Sequence, residues 1–288
     1  MKSQQEMEPI TTEIWQEIPD EHDPFVAKTC VCAGFNVFED MLGKASWIEY
    51  LYLLFQQQQP SPYQARLLND LAVAIANAGP RDHSVQAAMS AAAGGSTFAS
   101  CLMAALAVGA GQLNGGQEIY HAVTMWQRCS QDLALWQHML TKKTYLHFQL
   151  ENNGHDHSTW PTLTHAPGFS LHGLHCAAPT LQTLEHLANI TDAPTESTLS
   201  WLLLHRHALE QACQRPLSMT GIVAATFTQL ALDPQQSELL YLLLRLPGAA
   251  AHALEQHRRG WRDYPFHPQG IKLMESGSMS PVQRKIDE

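Results

Sequence analysis

Apolar residues in this chain recur at the spacing of an α-helix, and sustained strand-like alternation occurs nowhere. One apolar face in segment 45–59 comprises Trp47, Tyr50, Leu51, Leu54 and Phe55. Ser61 and Pro62 then supply the residue types preferred at the N-cap and first position of a second helix. The pattern predicts an all-α chain of amphipathic helices.

Proline and glycine divide the rest of the chain into further helical segments. We expect them at 96–113, 117–150, 181–190, 195–214, from 234 onward and at 249–259. Pro247-Gly248 is expected to separate the last two. Segment 96–113 carries alanine and glycine on nearly every side, which lets another helix approach closely. We therefore expect that helix to be central or to lie at a subunit interface, and we predict a homodimer.

Length and charge limit the kinds of partner. At 288 residues the chain is near the size at which one core divides, so one large domain with a smaller lobe is expected. Its formal net charge is −10 and it has no basic stripe, which argues against nucleic acid or an anionic membrane as a partner. A small acidic metabolite would need a local basic pocket.

The cysteines and histidines give no strong metal signal. The six cysteines lack a disulfide-framework spacing, which indicates reduced thiols in the cytoplasm. Cys30 and Cys32, near His22, are better explained as small buried residues than as ligands, and we expect the 155–157 run His-Asp-His to be a solvated loop. The first eight residues lack the apolar stretch of a secretory signal, and 98–113 is too short to span a membrane. We therefore predict a soluble cytoplasmic protein without a metal.

Six collinear segments carry a more specific signal. They are 42–55 (LGKASWIEYLYLLF), Asp82-His83, Gly109 to Gln117, Pro167-Gly168-Phe169-Ser170-Leu171 with Pro179, Ser218-Met219-Thr220-Gly221, and 242–256 (LLLRLPGAAAHALEQ). In this order they resemble motifs of the citrate synthase and citryl-CoA lyase family. The resemblance covers roughly residues 31 to 264.

The resemblance implies a helical fold with two domains and a site in the cleft between them. The large domain would comprise residues 1–116 and 224–288, and the small domain residues 117–223. It also implies a dimer whose subunits complete each other's sites. CoA or an acyl-CoA would be the substrate, together with a small carboxylic acid, and no cofactor would be bound tightly.

This chain departs from the family at the catalytic positions. The family uses an aspartate and two histidines as base, oxyanion donor and acid. The matching residues here are Thr220 for the aspartate, Asn114 for the first histidine and Leu171 for the second. Asn114 still offers a hydrogen-bond donor, whereas Thr220 is no carboxylate base and Leu171 has no proton to give.

The ligand-binding positions are partly kept. His83 and Arg245 match family residues that contact the carboxylates of the keto acid, whereas Thr180 replaces one carboxylate-binding arginine. Pro167, Gly168 and Phe169 match the loop whose backbone cradles the nucleotide of CoA.

Residues close to the altered catalytic positions are candidates for the lost roles. His172 and His175 follow Leu171 and either reach the cleft, as an acid and a substrate-binding group, or lie without function at its mouth. Glu118 is an available carboxylate, although acids in the first turn of a helix are favourable for the helix dipole alone, and we expect no catalytic role for it.

Three hypotheses follow. The first is a carbon–carbon lyase or synthase acting on a CoA thioester or related acyl substrate, with rearranged catalytic groups that include Asn114, His172 and Thr220. The second is a non-catalytic homologue that binds a ligand or regulates an active partner. The third is an ordinary citrate synthase. A catalytic site should place a histidine or carboxylate within hydrogen-bond reach of Asn114.

Overall fold

The structure is a computed structural model that describes residues 10–145, 165–190 and 197–264. It is mostly helical, which confirms the predicted fold class. The helices are α1 Trp47–Gln56, α2 Pro62–Ile75, α3 His83–Ala93, α4 Phe98–Gly109, α5 Gly116–Cys129, α6 Leu133–Lys142, α7 Ala178–Ile190, α8 Thr198–Cys213, α9 Met219–Gln229 and α10 Pro234–Arg259. None of the helices in the described ranges is long and apolar enough to cross a membrane.

A small antiparallel sheet precedes the helices and was not predicted. It comprises β1 Gln16–Pro19, β2 Ala27–Cys32 and β3 Phe35–Asn36, in that order. The strands are short and largely exposed, so they carry no alternation that a sequence pattern can detect. Cys32 is fully buried in β2 and Cys30 is half-buried. The described residues contain no group of three or more side chains placed to hold a metal ion.

The first two helices begin where the sequence predicts. Ser46 and Ser61 each close a capping box, with Glu49 and Gln64 reaching back to the N-cap amide. The buried face of α1 differs from the predicted one. Its buried residues are Leu51, Tyr52 and Leu53, whereas Trp47 is 68% exposed. Trp47 instead lines an open apolar groove of about 760 Å³ between α1, α2 and α10.

The predicted helical stretch 117–150 is wrong in one respect, because the described part forms two helices. Ser130 follows α5 with φ of 45°, outside the helical region, and Asp132 then caps α6 by accepting from the amide of Leu135. Residues 146–150 and the 155–157 run lie outside the described residues.

The prediction that Pro247 separates two helices is also wrong. Helix α10 runs through Pro247 as one element. The amide of Gly248 donates to the carbonyl of Ala76 at 2.8 Å, so a contact with the end of α2 supplies a partner at the proline site. Tertiary packing thereby offsets the local cost of a proline inside a helix.

Two clusters of buried side chains hold the helices together. The larger one joins α2, α5, α8 and α9 and includes edge-to-face contacts of Trp126 with Trp136 and with Trp201. The smaller one is built from residues with short side chains on α3, α4 and α10, such as Ala88, Ala105 and Ala253. Short side chains bring these three helices close together, as the composition of segment 96–113 predicts.

Candidate active site

A buried carboxylate lies where α5 begins. Glu118 is in the first turn of α5 and only 2% exposed. Its Oε2 accepts the backbone amide of Asn114 at 2.6 Å, so the side chain reaches back and satisfies a free amide just before the helix. The prediction that Glu118 serves the helix terminus is correct as far as this contact goes.

Glu118 also contacts groups that are distant in sequence. Its Oε1 accepts the amide of Gly168 at 3.0 Å and the hydroxyl of Thr220 at 2.5 Å. His165 Nε2 lies 3.3 Å from the same oxygen and is itself buried. We call Asn114, Glu118, His165, Gly168 and Thr220 the Glu118 cluster. Several donors around a buried carboxylate are what its desolvation requires.

The turn around Gly168 packs directly on the start of α9. Gly168 has φ of +87°, a conformation that favours glycine. A Cβ on Gly221 would lie 2.4 Å from the carbonyl oxygen of Gly168, so the two backbones touch. That same carbonyl accepts the amide of Ser218 at 3.1 Å. Pro167 and Phe169, on either side, are buried.

Arg245 is held by groups of the protein itself. Its guanidinium donates to Asp82 Oδ2 at 2.5 Å and to the carbonyl of Asn114 at 2.7 Å, and lies 4.7 Å from the ring centroid of Tyr241. Arg245 is 8% exposed, so this is a buried ion pair. Asp82 therefore binds the guanidinium of Arg245, which the resemblance expects to bind a carboxylate of the substrate.

Two shifted pKa values follow from this arrangement. Burial alone would raise the pKa of Asp82, but the charge of Arg245 and hydrogen bonds from Ser84 and Arg245 lower it below its ordinary value. Burial raises the pKa of Tyr241, whose hydroxyl donates to the carbonyl of Asn114 at 3.0 Å. The tyrosine is therefore a neutral donor at physiological pH.

Asn114 connects the two groups through its backbone. It has φ of +54°, a conformation that asparagine tolerates better than most residues. Its amide binds Glu118, and its carbonyl binds Arg245 and Tyr241. The residue itself is exposed.

The predicted histidines lie outside this network. His83, His172 and His175 are exposed, and no hydrogen bond joins any of them to the Glu118 cluster within the described ranges. His83 directly follows Asp82 at the start of α3. His175 lines an open cavity of about 500 Å³ between segment 173–176 and the end of α8. Arg206 and Arg215 line the same cavity, where Arg206 is paired with Glu210.

The structure thus brings together Asn114, Gly168, Thr220 and Arg245 among the residues predicted for the site. The sequence predicted no side-chain role for His165 or Ser218 and indicated only a helix-terminus role for Glu118. The one sequence signal for a site at Glu118 is its position just after Gly115-Gly116, because a glycine pair before a helix indicates a turn beside the carboxylate. Nothing in the sequence joins residue 118 to residue 220.

Comparison with known sequences gives no match, either to a family model or to a curated protein. Comparison of structures does. Citryl-CoA lyase from Hydrogenobacter thermophilus aligns with a TM-score of 0.62 and 16% identity over 94% of this chain and 96% of that one.

Two larger proteins align as well. ATP citrate lyase from Methanothrix soehngenii, in complex with citrate and coenzyme A, gives a TM-score of 0.65 at 18% identity over 98% of this chain. Citrate synthase from Thermoplasma acidophilum, in a ternary complex with carboxymethyl coenzyme A and oxaloacetate, gives 0.57 at 14% identity over 84%. This chain spans 44% and 61% of those two proteins. The chain therefore has the fold shared by citrate synthase and citryl-CoA lyase.

Proposed function

We propose that this protein is a carbon–carbon lyase or synthase that acts on a CoA thioester, with Glu118 supplying the carboxylate that the matched base position lacks. The observation that carries the proposal is the 2.5 Å hydrogen bond from Thr220 to Glu118. The resemblance puts the family's catalytic aspartate at Thr220. A carboxylate from another helix therefore lies beside that position, although the local sequence has none.

The surroundings of Glu118 support binding of the thioester. The Gly168 turn, which matches the family's nucleotide loop, is fixed by Glu118 on one side and by Gly221 on the other. A rigid backbone of this kind can hold a ligand with little loss of entropy on binding. The cavity at segment 173–176 presents Arg215 and His175, which suit the phosphates of CoA, whereas Glu210 in its lining is paired with Arg206.

The residues around Arg245 bear on the partner acid. Because Asp82 neutralises Arg245 and Thr180 replaces a further arginine, the site offers less positive charge than a dicarboxylic keto acid requires. We propose a partner acid with one carboxylate, bound near His83. Under the predicted division at residues 117 and 224, Asn114 and Arg245 belong to the large domain and Glu118 and Thr220 to the small one, so the site would lie where the domains meet.

A second candidate function is a non-catalytic, ligand-binding or regulatory homologue, and one observation favours it. The charged groups of the site are satisfied internally, Arg245 by Asp82 and Glu118 by amides and a hydroxyl. A site that needs no ligand to complete its hydrogen bonds is stable when empty. The exposed positions of His172 and His175 agree with this alternative.

Binding and turnover separate the two candidates. Isothermal titration with CoA and acetyl-CoA should give binding to the unmodified protein under either hypothesis. Incubating acetyl-CoA with pyruvate, glyoxylate or oxaloacetate and following free CoA should give turnover only for an enzyme. The variant Glu118→Gln should then lose at least about a hundredfold in rate, whereas Glu185→Gln, an exposed control on α7, should not. Binding without turnover for all three acids would favour the regulatory function, and absence of CoA binding would refute the proposal.

A further inference from the structure

The hydroxyl groups of Ser218 and Thr220 form a directed chain to Glu118. Ser218 Oγ lies 2.6 Å from Thr220 Oγ1, which lies 2.5 Å from Glu118 Oε1. A hydroxyl has one proton to donate. Because Thr220 donates its proton to Glu118, Ser218 must donate to Thr220. The direction of the chain is therefore fixed, from serine to threonine to carboxylate.

The accessibility of the three groups falls along the same direction. Ser218 is half-buried, whereas Thr220 and Glu118 are each only 2% exposed. A molecule bound at the surface of the site can touch Ser218, but the carboxylate itself is covered. Only the serine end of the chain is open to a ligand.

The use of Ser218 at this helix start is unusual. It occupies the N-cap position of α9, where a serine side chain normally accepts an amide of the first turn. Here the side chain makes no capping hydrogen bond and points to Thr220 instead. Its own amide donates to the carbonyl of Gly168, which fixes its backbone against the turn. The hydroxyl of Ser218 therefore hydrogen-bonds to Thr220 and does not cap the helix.

We infer that Ser218 is the catalytic residue that exchanges a proton with the α-carbon of the bound acyl thioester, and that Thr220 and Glu118 relay this proton. In the forward step the C–H bond breaks and its electron pair stays on the thioester enolate. Ser218 Oγ gains that proton and passes its own to Thr220, and Thr220 passes its own to Glu118. The net change is one proton moved from carbon to the carboxylate, with both hydroxyls restored. The inference rests on the proposed function, because it requires a thioester at this site.

Hydrogen exchange in deuterium oxide tests this step without knowledge of the partner acid. Acetyl-CoA and propionyl-CoA are incubated with the protein, and deuterium in the acyl group is followed by mass spectrometry. We expect Ser218→Ala to slow exchange by about a hundredfold or more, with CoA binding by calorimetry unchanged. Ser218→Thr keeps the hydroxyl and should recover most of the rate.

A test of Thr220 as a relay must distinguish loss of proton transfer from loss of folding. Thr220→Val should lose exchange, and Thr220→Ser should restore it. The double variant Ser218→Ala with Thr220→Val should be no slower than either single variant, because groups acting as a unit fail together. Thr226→Val is the matched control, since Thr226 is a buried threonine of the same helix whose hydroxyl donates to the backbone carbonyl of Ile222 in that helix.

The outcomes distinguish this inference from the proposed function. Exchange that survives in Ser218→Ala would refute the relay while leaving a CoA-dependent enzyme. Binding of CoA without any exchange in the unmodified protein would refute both the relay and catalysis. Absence of CoA binding would refute the proposed function and remove the substrate that the relay needs.

Discussion

Thr220 and Glu118 are 102 residues apart in sequence, and the hydroxyl of one donates to the carboxylate of the other at 2.5 Å. The carboxylate comes from the start of α5 and the hydroxyl from the start of α9. The contact puts an acid next to a position where the sequence has only a threonine.

An acid at position 220 should therefore conflict with Glu118. Thr220→Asp places a second carboxylate against a buried one, and like charges in a buried site cannot both ionise without a large cost. We expect a loss of about 2 kcal/mol or more in the free energy of unfolding at pH 7, measured by urea denaturation. The double variant Thr220→Asp with Glu118→Gln should regain most of it. Equal stability of the single and double variants would contradict this account.

The contact between Gly168 and Gly221 should not tolerate a methyl group. Gly221→Ala puts a Cβ 2.4 Å from the carbonyl oxygen of Gly168, so the turn must move. We expect weaker CoA binding by calorimetry and a lower melting temperature. Gly94→Ala is the control, because the nearest atoms to a Cβ there lie at 3.6 Å. Normal CoA affinity in Gly221→Ala would show that the Gly168 turn does not take part in binding CoA.

The Asp82 and Arg245 ion pair should make stability depend on acid pH. The folded pKa of Asp82 is lowered, so its contribution is present above the unfolded value of about 4 and is lost as the pH falls from there toward the folded value. Asp82→Asn leaves Arg245 buried without its counter-charge and should cost on the order of 3 kcal/mol at pH 7. Urea unfolding at several pH values should find that this difference shrinks below about pH 4. A difference independent of pH would refute the assignment.

His121 should add a second pH dependence at a higher pH. Burial lowers its pKa, and its Nδ1 has no hydrogen-bond partner within the described ranges. The folded state keeps the ring neutral while the unfolded state takes up a proton, so stability falls as the pH drops below about 6.5. His121→Leu should remove this loss between about pH 5 and 7. His138→Leu, at an exposed site on α6, is the control.

Assembly as a dimer stays a prediction, and the exposed face of α4 gives it a specific test. Met103, Ala107 and Val108 are apolar and exposed there. Ala107→Trp should lower the sedimentation coefficient at micromolar concentration if this face packs against a second copy, because a bulky group prevents close helix contact. Glu185→Trp on α7 is the control. A stable monomer for the unmodified protein would refute the dimer.

The sequence by itself determined the fold class and the starts of α2 and α10. Ser61 caps α2 as its residue type and the proline after it predict, because a cap is a hydrogen bond within four residues. Collinear motifs also pointed to the right fold, since they record positions along the chain. Local and sequential information was sufficient for these features.

Only the tertiary structure decided which groups meet at the site. Gly248, next to Pro247 in α10, donates its amide to the carbonyl of Ala76 just after α2, and Thr220 of α9 donates its hydroxyl to the carboxylate of Glu118 in α5. Arg245 was predicted as a substrate ligand, but its guanidinium is held by Asp82, 163 residues away in sequence. Hydrogen bonds and ion pairs act over about 3 Å whatever the sequence separation, so side-chain identity alone cannot reveal which partner a buried group finds.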